Sequence, residues 1–438
     1  MDREIFSDLV IRAKKMGANQ IDILAEESKN TSAVTRLAKL EKVVQADAMS
    51  VKVRLSIGKR NAIATTDSMD ELKETAFVEK AIFAAKNSPE EKVKIRPNSK
   101  ELGKCFEKMD ILDDQEVSSE KLISDALECE KIALQIKGIT NSGGAQASHS
   151  YSRVTLVKNN DFLADYEKTS NQIFIVTLAE KDGFLERAYD FSKKIYYSDL
   201  KSPEQIAKKS AERTLKKLGA RKIKSCKVPV IFDRLISGHL LDNLMEAING
   251  ASIAKGISFL RDKLFKKVFD ERLNITDRYA IPRGLRSRPF DSDGLKCSDL
   301  SIVKNGELNS FLLNTKYANQ LGMRSTGNAN GFEGIAPNNV CIENGKKSFD
   351  NLLKPIKNGL YVTEVLGNGL NLVTGNYSQG AVGFWIENGE ITYPVSEITI
   401  AGNFLDMLSH CEAASDLEMM SGVDAPTLLI DEMIVGGI

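Results

Sequence analysis

The chain has 438 residues, of which 42% are apolar and 27% charged, the composition of an ordinary globular protein with roughly two or three hydrophobic cores. Its 60 basic and 60 acidic residues cancel, so no overall field attracts it to nucleic acid or to an anionic membrane. We therefore expect neither nucleic acid nor a membrane among its partners.

The start of the chain and its cysteines favour a soluble, cytoplasmic protein. The segment Met1 to Phe6 is acidic, whereas a signal peptide has a basic start followed by an apolar run. No segment approaches the roughly 18 consecutive apolar residues of a membrane span. The six cysteines never form Cys-x-x-Cys, which excludes a zinc knuckle and a thioredoxin-like pair and predicts reduced, mostly buried thiols.

Residues 1–97 read as a mixed α/β domain. Apolar residues at helical spacing predict a helix over 5–16 that stops at Gly17. Alternating residues predict strands at 21–25 and 51–56, followed by a helix near 70–87. The charged stretch Glu90 to Arg96 lies between two prolines and is typical of a linker.

Residues 98–222 read as a smaller central α+β domain. A helix is predicted from Ser118 to about Lys137, and strands around 150–158 and 171–180. Ser202-Pro203-Glu204-Gln205 carries a capping hydroxyl, a proline at the first helical position and a Gln at the capping-box position. The basic run from Lys193 to Lys227 has two interpretations, a nucleic-acid footprint or a solvated helix face. We favour the second because no aromatic residues interleave with the lysines of this helix.

Residues 223–438 read as a large domain dominated by antiparallel β-sheet, which makes the fold class α+β. A buried strand at 228–232 precedes a helix with a stripe of apolar residues, and Asn249-Gly250 is expected to end that helix. Beyond it, Asn305-Gly306 and Asn388-Gly389 each lie between alternating runs. Such pairs are the preferred two-residue turns of β-hairpins.

Histidines are scarce, and their spacing offers no zinc motif. His149, His239 and His410 are far apart, so no His-Glu-x-x-His exists. One helix face carries His239, Asp242, Asn243, Glu246 and Asn249 opposite the stripe Ile236, Leu240, Leu244 and Ile248. This face has three interpretations: a polar surface at solvent or an interface, which we favour, a carboxylate-assisted metal site, or an autonomous hydrolase site using His239 with Asp242 or Glu246.

Other catalytic arrangements lack support. His410 and Cys411 are adjacent, so their side chains point in different directions, and no Gly-x-Ser-x-Gly elbow is present. Gly367-x-Gly369 lacks the third glycine of a dinucleotide-binding loop. The glycines from 367 to 383 fit either tight backbone geometry or a surface on which a peptide adds as a strand.

Several longer segments resemble a known family. They are Ser258-Phe259-Leu260, the run Pro282-Arg283-Gly284-Leu285-Arg286-Ser287-Arg288-Pro289-Phe290-Asp291, Ser325-Thr326-Gly327-Asn328-Ala329, Val362-Thr363-Glu364-Val365-Leu366-Gly367, Asn371-Leu372-Val373-Thr374-Gly375, Gly383-Phe384-Trp385-Ile386-Glu387-Asn388-Gly389 and Glu397-Ile398-Thr399-Ile400-Ala401-Gly402-Asn403. Together they resemble the TldD/TldE (PmbA) metallopeptidase family, and specifically its TldE/PmbA-type subunits.

The resemblance implies a heteromeric zinc peptidase for unfolded peptides. In it, a TldD-type partner holds zinc through His-Glu-x-x-x-His and a later cysteine, and the TldE-type chain completes the chamber. At the corresponding helix this chain has Leu240 and Leu244 in place of the general base and the second histidine, and no cysteine follows Asp416. We therefore expect no catalytic residue, metal or other cofactor in this chain, and zinc in the partner.

The resemblance also suggests a substrate or partner surface. Its residues are His239, Asn243, Glu364, Asn371, Thr374, Asn376, Tyr377 and Gln379. Asn376 and Gln379 replace the usual Asp and Arg of Thr-Gly-Asp-Tyr-Ser-Arg-Gly. If Asn376 and Gln379 touch the peptide or the partner, the loss of the two charges alters substrate preference or pairing. If they only hold a loop, amide hydrogen bonds are enough to replace the ion pair. The alternative function is a non-enzymatic homodimer that binds peptides or modulates a client protein.

Overall fold

The computed structural model describes residues 3–159 and 162–438, so Met1 and Asp2 of the N-terminal segment considered above lie outside it. The first elements are α1 (Arg3–Lys15), β1 (Gln20–Arg36), β2 (Lys39–Ile57), β3 (Arg60–Thr66), α2 (Met69–Lys73) and α3 (Thr75–Asn87). The expected first helix and two strands are confirmed, although both strands are much longer than predicted. The helix expected near 70–87 is interrupted at Glu74.

The central elements follow the predicted order. They are α4 (Ser119–Gln135), β4 (Asn141–Lys158), β5 (Phe162–Lys181), β6 (Phe184–Lys194), a short 3₁₀ helix (Tyr197–Asp199) and α5 (Pro203–Lys216). Ser202 and Gln205 form the expected capping box at the start of α5. The α5 lysines at 208, 209 and 216 pair with Glu204 and Glu212 on the exposed side of the helix, which supports the solvated-face interpretation.

The first two blocks share one antiparallel sheet with the strand order β3-β2-β1-β4-β5-β6. β1 pairs with β4 from Asp22 to Thr35. The sheet therefore runs across the limit expected at residue 97, and the division of residues 1–222 into two domains stays a prediction. Helices α1 and α3 bury one end of a sheet face, and α4 and α5 bury the other end.

The C-terminal block contains two larger sheets. Its helices are α6 (Arg234–Ala247), α7 (Gly250–Lys255), α8 (Thr315–Gln320), α9 (Phe349–Leu353) and α10 (Phe404–Ser409). Its strands are β7 (Cys226–Phe232), β8 (Ile275–Arg278), β9 (Leu300–Lys304), β10 (Glu307–Leu308), β11 (Ala329–Asn330), β12 (Gly334–Ile335), β13 (Asn339–Ile342), β14 (Asn358–Leu366), β15 (Asn376–Glu387), β16 (Glu390–Asn403), β17 (Cys411–Ala413), β18 (Val423–Asp424) and β19 (Leu428–Gly436).

Most strand pairs of this block are antiparallel, as expected for the α+β class. The sheet orders are β10-β9-β8-β13-β18 and β16-β15-β14-β7-β19-β17, and a further pairing of β16 with β19 closes the second sheet into a ring. Both Asn-Gly pairs form the predicted turns, with positive φ at all four residues. α6 ends at Ala247, just before the predicted stop, and Asn249 also caps α7, because its side chain accepts the Ala251 N–H.

The first sheet presents its second face to the C-terminal block. Leu24 and Leu156 on that face pack with Phe290 and Phe332. Beside them the Asp22 carboxylate receives three cations, Arg54 at 2.8 Å, Arg96 at 2.5 Å and Lys158 at 3.2 Å. The stretch expected to be a linker is thus anchored by a buried arginine at its end.

No helix within the described ranges combines the length and apolarity that a membrane span requires.

Candidate functional site

Helix α6 separates an apolar face from a polar one. Asp233 begins the helix by accepting the Leu235 N–H at 2.8 Å. Leu240 and Leu244 are each 1% exposed and belong to the core of the C-terminal block. His239 and Asp242 lie exposed on the opposite side. The two positions that the resemblance assigns to a general base and a second histidine therefore point into the core.

The residues of α6 do not fit a zinc ion. Zinc sites in proteins take several His, Cys or carboxylate ligands in tetrahedral arrangement. Among the residues that the structure describes, no group of three or more such side chains is placed to hold a metal. Replacing the core residues Leu240 and Leu244 by ligands would also leave those ligands buried among apolar neighbours. We therefore derive no catalytic step through a metal in this chain.

His410 and Cys411 do not form a nucleophile and base pair. Cys411 is buried, and burial raises the pKa of its thiol well above the usual range. His410 Nδ1 lies 3.0 Å from the Asp406 carbonyl oxygen instead. A buried, protonated thiol is a poor nucleophile, so this pair offers no catalysis.

Glu364 lines a cavity of about 220 Å³ between α5 and β14. Its carboxylate pairs with the Lys217 ammonium at 2.7 Å, and the Arg187 guanidinium lies 3.8 Å away. On the same wall the Tyr361 hydroxyl donates to Asp233, the residue that caps α6. Burial and the nearby carboxylate raise the pKa of Tyr361. The cavity thus joins the central block to the start of α6.

The loop between β14 and β15 is held by its own side chains and by side chains at the start of β15. Asn371 Oδ1 accepts the Val373 and Thr374 N–H groups at 3.0 and 3.1 Å. The Tyr377 hydroxyl donates to Gln379, whose amide in turn donates to the Gly367 carbonyl oxygen. Gln379 therefore holds a loop through neutral hydrogen bonds, the second of the two roles considered for it.

The glycines between positions 367 and 383 are required by close packing or by the backbone conformation. A Cβ at position 369 would lie 2.9 Å from the Tyr377 ring, and one at position 383 would lie 2.0 Å from the Tyr361 carbonyl oxygen. Gly367 and Gly375 adopt positive φ values of 80° and 74°. Tight backbone geometry accounts for these four positions without a bound peptide.

Two of the family-like motifs form a buried polar network. Asp277 accepts the amide groups of Asn328 at 2.9 Å and Asn338 at 3.1 Å. The Arg288 guanidinium donates to Asn338 at 2.8 Å. Burial raises the pKa of Asp277. These motif residues hold loops together and are not exposed to substrate.

The predicted surface residues lie in three separate places. His239 and Asn243 are on α6, Glu364 is in the cavity, and the remaining five are in the β14–β15 loop or at the start of β15. Asn371, Thr374 and Asn376 are exposed, whereas Tyr377 and Gln379 are buried. Their role as a substrate or partner surface stays a prediction.

Sequence reasoning missed Asp233, Tyr361 and Lys217 as cavity residues. The only local signal was the helix cap at Asp233, because the contacts join segments that are distant in the chain.

Two family models match the chain. The PmbA/TldA metallopeptidase central domain matches residues 112–218, and the C-terminal domain of that family matches residues 225–437. Together these ranges cover more than half of the chain. The chain belongs to the PmbA/TldD metallopeptidase family.

Named relatives agree with this membership. Metalloprotease PmbA of Escherichia coli O157:H7 is 38% identical over 331 residues, which are 75% of this chain and 72% of that protein. A Metalloprotease PmbA homolog of Haemophilus influenzae is 32% identical over 443 residues, 99% of this chain and 96% of the relative. This PmbA/TldD chain thus belongs to a family whose named members are proteases, a class of hydrolases.

Solved structures share the fold over the whole chain. A putative modulator of DNA gyrase from Thermotoga maritima has a TM-score of 0.88 and 26% identity and covers 99% of both chains. TldE from Thermococcus kodakarensis has a TM-score of 0.87 and 22% identity and covers 99% of this chain and all of its own. At 22% identity, the likeness to TldE is evidence for the fold of this PmbA/TldD chain and for nothing further.

Proposed function

We propose that this chain is a TldE/PmbA-type subunit of a heteromeric zinc metallopeptidase that degrades or processes unfolded peptides, with zinc supplied by a TldD-type partner. One observation carries the proposal: α6 places Leu240 and Leu244 in the core, and within the described residues His239 belongs to no group of three or more potential metal ligands. A member of a metallopeptidase family with this helix needs its chemistry from another chain.

The free cysteines support a reducing, cytoplasmic location for the complex. All six are unpaired, and four of them are buried. Disulfides form in exported proteins and are rare in the cytosol.

A reconstitution experiment tests the proposal. The chain is purified alone and together with a TldD-type partner from the same cell, and cleavage of an unfolded peptide is measured with and without a metal chelator. We expect no cleavage by the isolated chain, cleavage by the complex, and loss of that cleavage on chelation with recovery on adding zinc. Unchanged activity of the complex after replacing His239 by Ala would exclude the autonomous hydrolase site considered at this residue.

Chelator-sensitive cleavage by the isolated chain would contradict the proposal. A chain that binds peptide as a homodimer and never associates with the partner would favour the non-enzymatic alternative.

A further inference from the structure

Three cations gather where the first sheet meets the C-terminal block. Lys168 lies on β5 and Lys193 on β6, and the pairing of Gln172 with Lys193 places both lysines on the same face of the sheet. That face is the one on which the C-terminal block packs. Arg286 comes from the loop that follows β8, and the Lys168 ammonium donates to the carbonyl oxygen of the preceding residue, Leu285.

This group, called here the basic cluster, makes no ion pair in the described parts of the chain, and the Asp242 carboxylate of α6 is near enough to Arg286 for the guanidinium to favour its charged form. Across residues 3–159 and 162–438, neither the Lys193 ammonium nor the Arg286 guanidinium makes a hydrogen bond or an ion pair, and Lys168 has only the carbonyl oxygen. The nearby carboxylate of Asp199 is already bound by Arg283 at 2.9 Å. Lys194 donates to the Met419 carbonyl oxygen at 3.3 Å and lies near the Glu418 carboxylate, whose charged form it favours.

The like charges disfavour one another. Burial, and then the neighbouring charges of Lys193, Arg286 and Arg288, lower the pKa of Lys168 to about 8. Burial and then Arg286 lower the pKa of Lys193 as well. Half-buried, unpaired cations cost stability, and such arrangements are common where a protein binds an anion.

Lys193 of the basic cluster lines an open groove, and Arg286 adjoins the groove through its contact with Gly422. A cavity of about 410 Å³ is lined by Lys193, Leu285, Met419 and Gly422, among others. Arg286 packs against Gly422, where an added Cβ would lie 2.6 Å from Arg286 Cγ. The next residue, Val423, touches α6 at Gly238, so the groove lies next to the helix that carries His239.

We propose that Lys168, Lys193 and Arg286 form a binding site for a carboxylate group of a peptide substrate. Ammonium and guanidinium groups bind carboxylates through charge-assisted hydrogen bonds, and a partly desolvated site strengthens them. The inference rests on the proposed function, since the ligand is a peptide. The carboxylate is either the C-terminus of the peptide or an Asp or Glu side chain.

The test measures binding of three fluorescent, unfolded peptides to the full chain. One has a free C-terminus and no acidic side chain, the second is its C-terminal amide, and the third is the amide with one internal Glu. We expect the free acid to bind about tenfold more tightly than the amide, with the preference shrinking as salt rises. Tight binding of the third peptide indicates side-chain carboxylates, and weak binding indicates the C-terminus.

Two variants assign the preference to the basic cluster. Lys193→Gln and Arg286→Gln should each reduce the preference for acid over amide to about twofold or less, while melting at the same or a higher temperature because repulsion is relieved. Lys208→Gln, which removes an exposed lysine paired with Glu204, should keep the tenfold preference. This stability readout separates lost binding from lost folding.

Equal binding of acid and amide to the natural chain, or a full preference in both variants, would overturn the carboxylate site. Such a result leaves the proposed function standing, because that function is tested by zinc-dependent cleavage in the reconstituted complex.

Discussion

A single carboxylate holds three cations together in the interior of the first sheet. Asp22 is 2% exposed and receives Arg54 of β2, Lys158 of β4 and Arg96 of the segment between α3 and α4. Burial opposes ionisation of Asp22, but the three cations outweigh it and hold the pKa of the carboxyl far below its usual range. Removing one member of a buried pair leaves the other charges uncompensated, which costs more than the pair itself contributes.

Asp22→Asn should therefore lower the free energy of unfolding at pH 7 by about 3–5 kcal/mol. Because the folded pKa is depressed, the stabilising contribution of Asp22 is present above its unfolded pKa of about 4 and is lost as pH falls below that value. The difference between variant and natural chain should thus shrink toward acid pH, as measured by urea unfolding. Asp70→Asn, at an exposed residue paired with Lys73, serves as the control and should be neutral. Equal effects of both substitutions would show that the cluster does not stabilise the fold.

The predicted surface residues show which single-residue roles were readable from the sequence. For Gln379 the sequence allows either contact with a peptide or a role in holding a loop, and its bonds to Tyr377 and Gly367 support the second role. Nothing in the sequence places Gln379 beside Gly367, because the pairing of β14 with β15 brings the two residues together. The sequence also places Arg96 in a linker, because its ion-pair partner Asp22 is 74 residues away and no local pattern connects the two.

At the scale of elements, local signals were reliable and long-range pairing was not. The capping box at Ser202 and the Asn-Gly turns depend on neighbouring residues, and both formed as predicted. The outer part of β2, residues 39–48, is exposed throughout, so it lacks the alternation by which a half-buried strand is recognised. This segment is a strand because it pairs with β1. Such pairing cannot be recognised from the local pattern of apolar and polar residues.

Two glycines of β15 test how closely this strand packs. Gly383→Ala would bring Cβ to 2.0 Å from the Tyr361 carbonyl oxygen at a bulge between β14 and β15. Gly380→Ala on the same strand meets Leu366 at an ordinary 3.4 Å. We expect Gly383→Ala to destabilise the protein by about 1–3 kcal/mol, and Gly380→Ala to be neutral or slightly stabilising because it restricts the unfolded chain. Thermal unfolding of both variants measures this, and similar melting temperatures would argue against a close approach.

For the molecule as a whole, polar contacts supplement apolar packing between the first sheet and the C-terminal block. The Leu24 and Phe290 contact is flanked by the Asp22 cluster on one side and by the basic cluster further along the same face. At the β6 edge, Lys217 of the segment after α5 pairs with Glu364 of β14. The composition predicts several hydrophobic cores, but it does not show which charged residues form ion pairs between the blocks that contain them.

The Lys217–Glu364 pair should couple the central and C-terminal blocks. Lys217 is 5% exposed, and without Glu364 its ammonium retains the Arg187 carbonyl oxygen at 3.1 Å. Glu364→Gln should therefore lower stability by about 2 kcal/mol and speed amide hydrogen exchange at both the end of α5 and β14. Glu432→Gln removes an exposed partner of Lys227 and should change neither quantity measurably. Faster exchange in β14 alone would mean that Glu364 stabilises only its own strand. Altered peptide cleavage by a stably folded complex carrying Glu364→Gln would instead support the predicted role of Glu364 in the substrate surface.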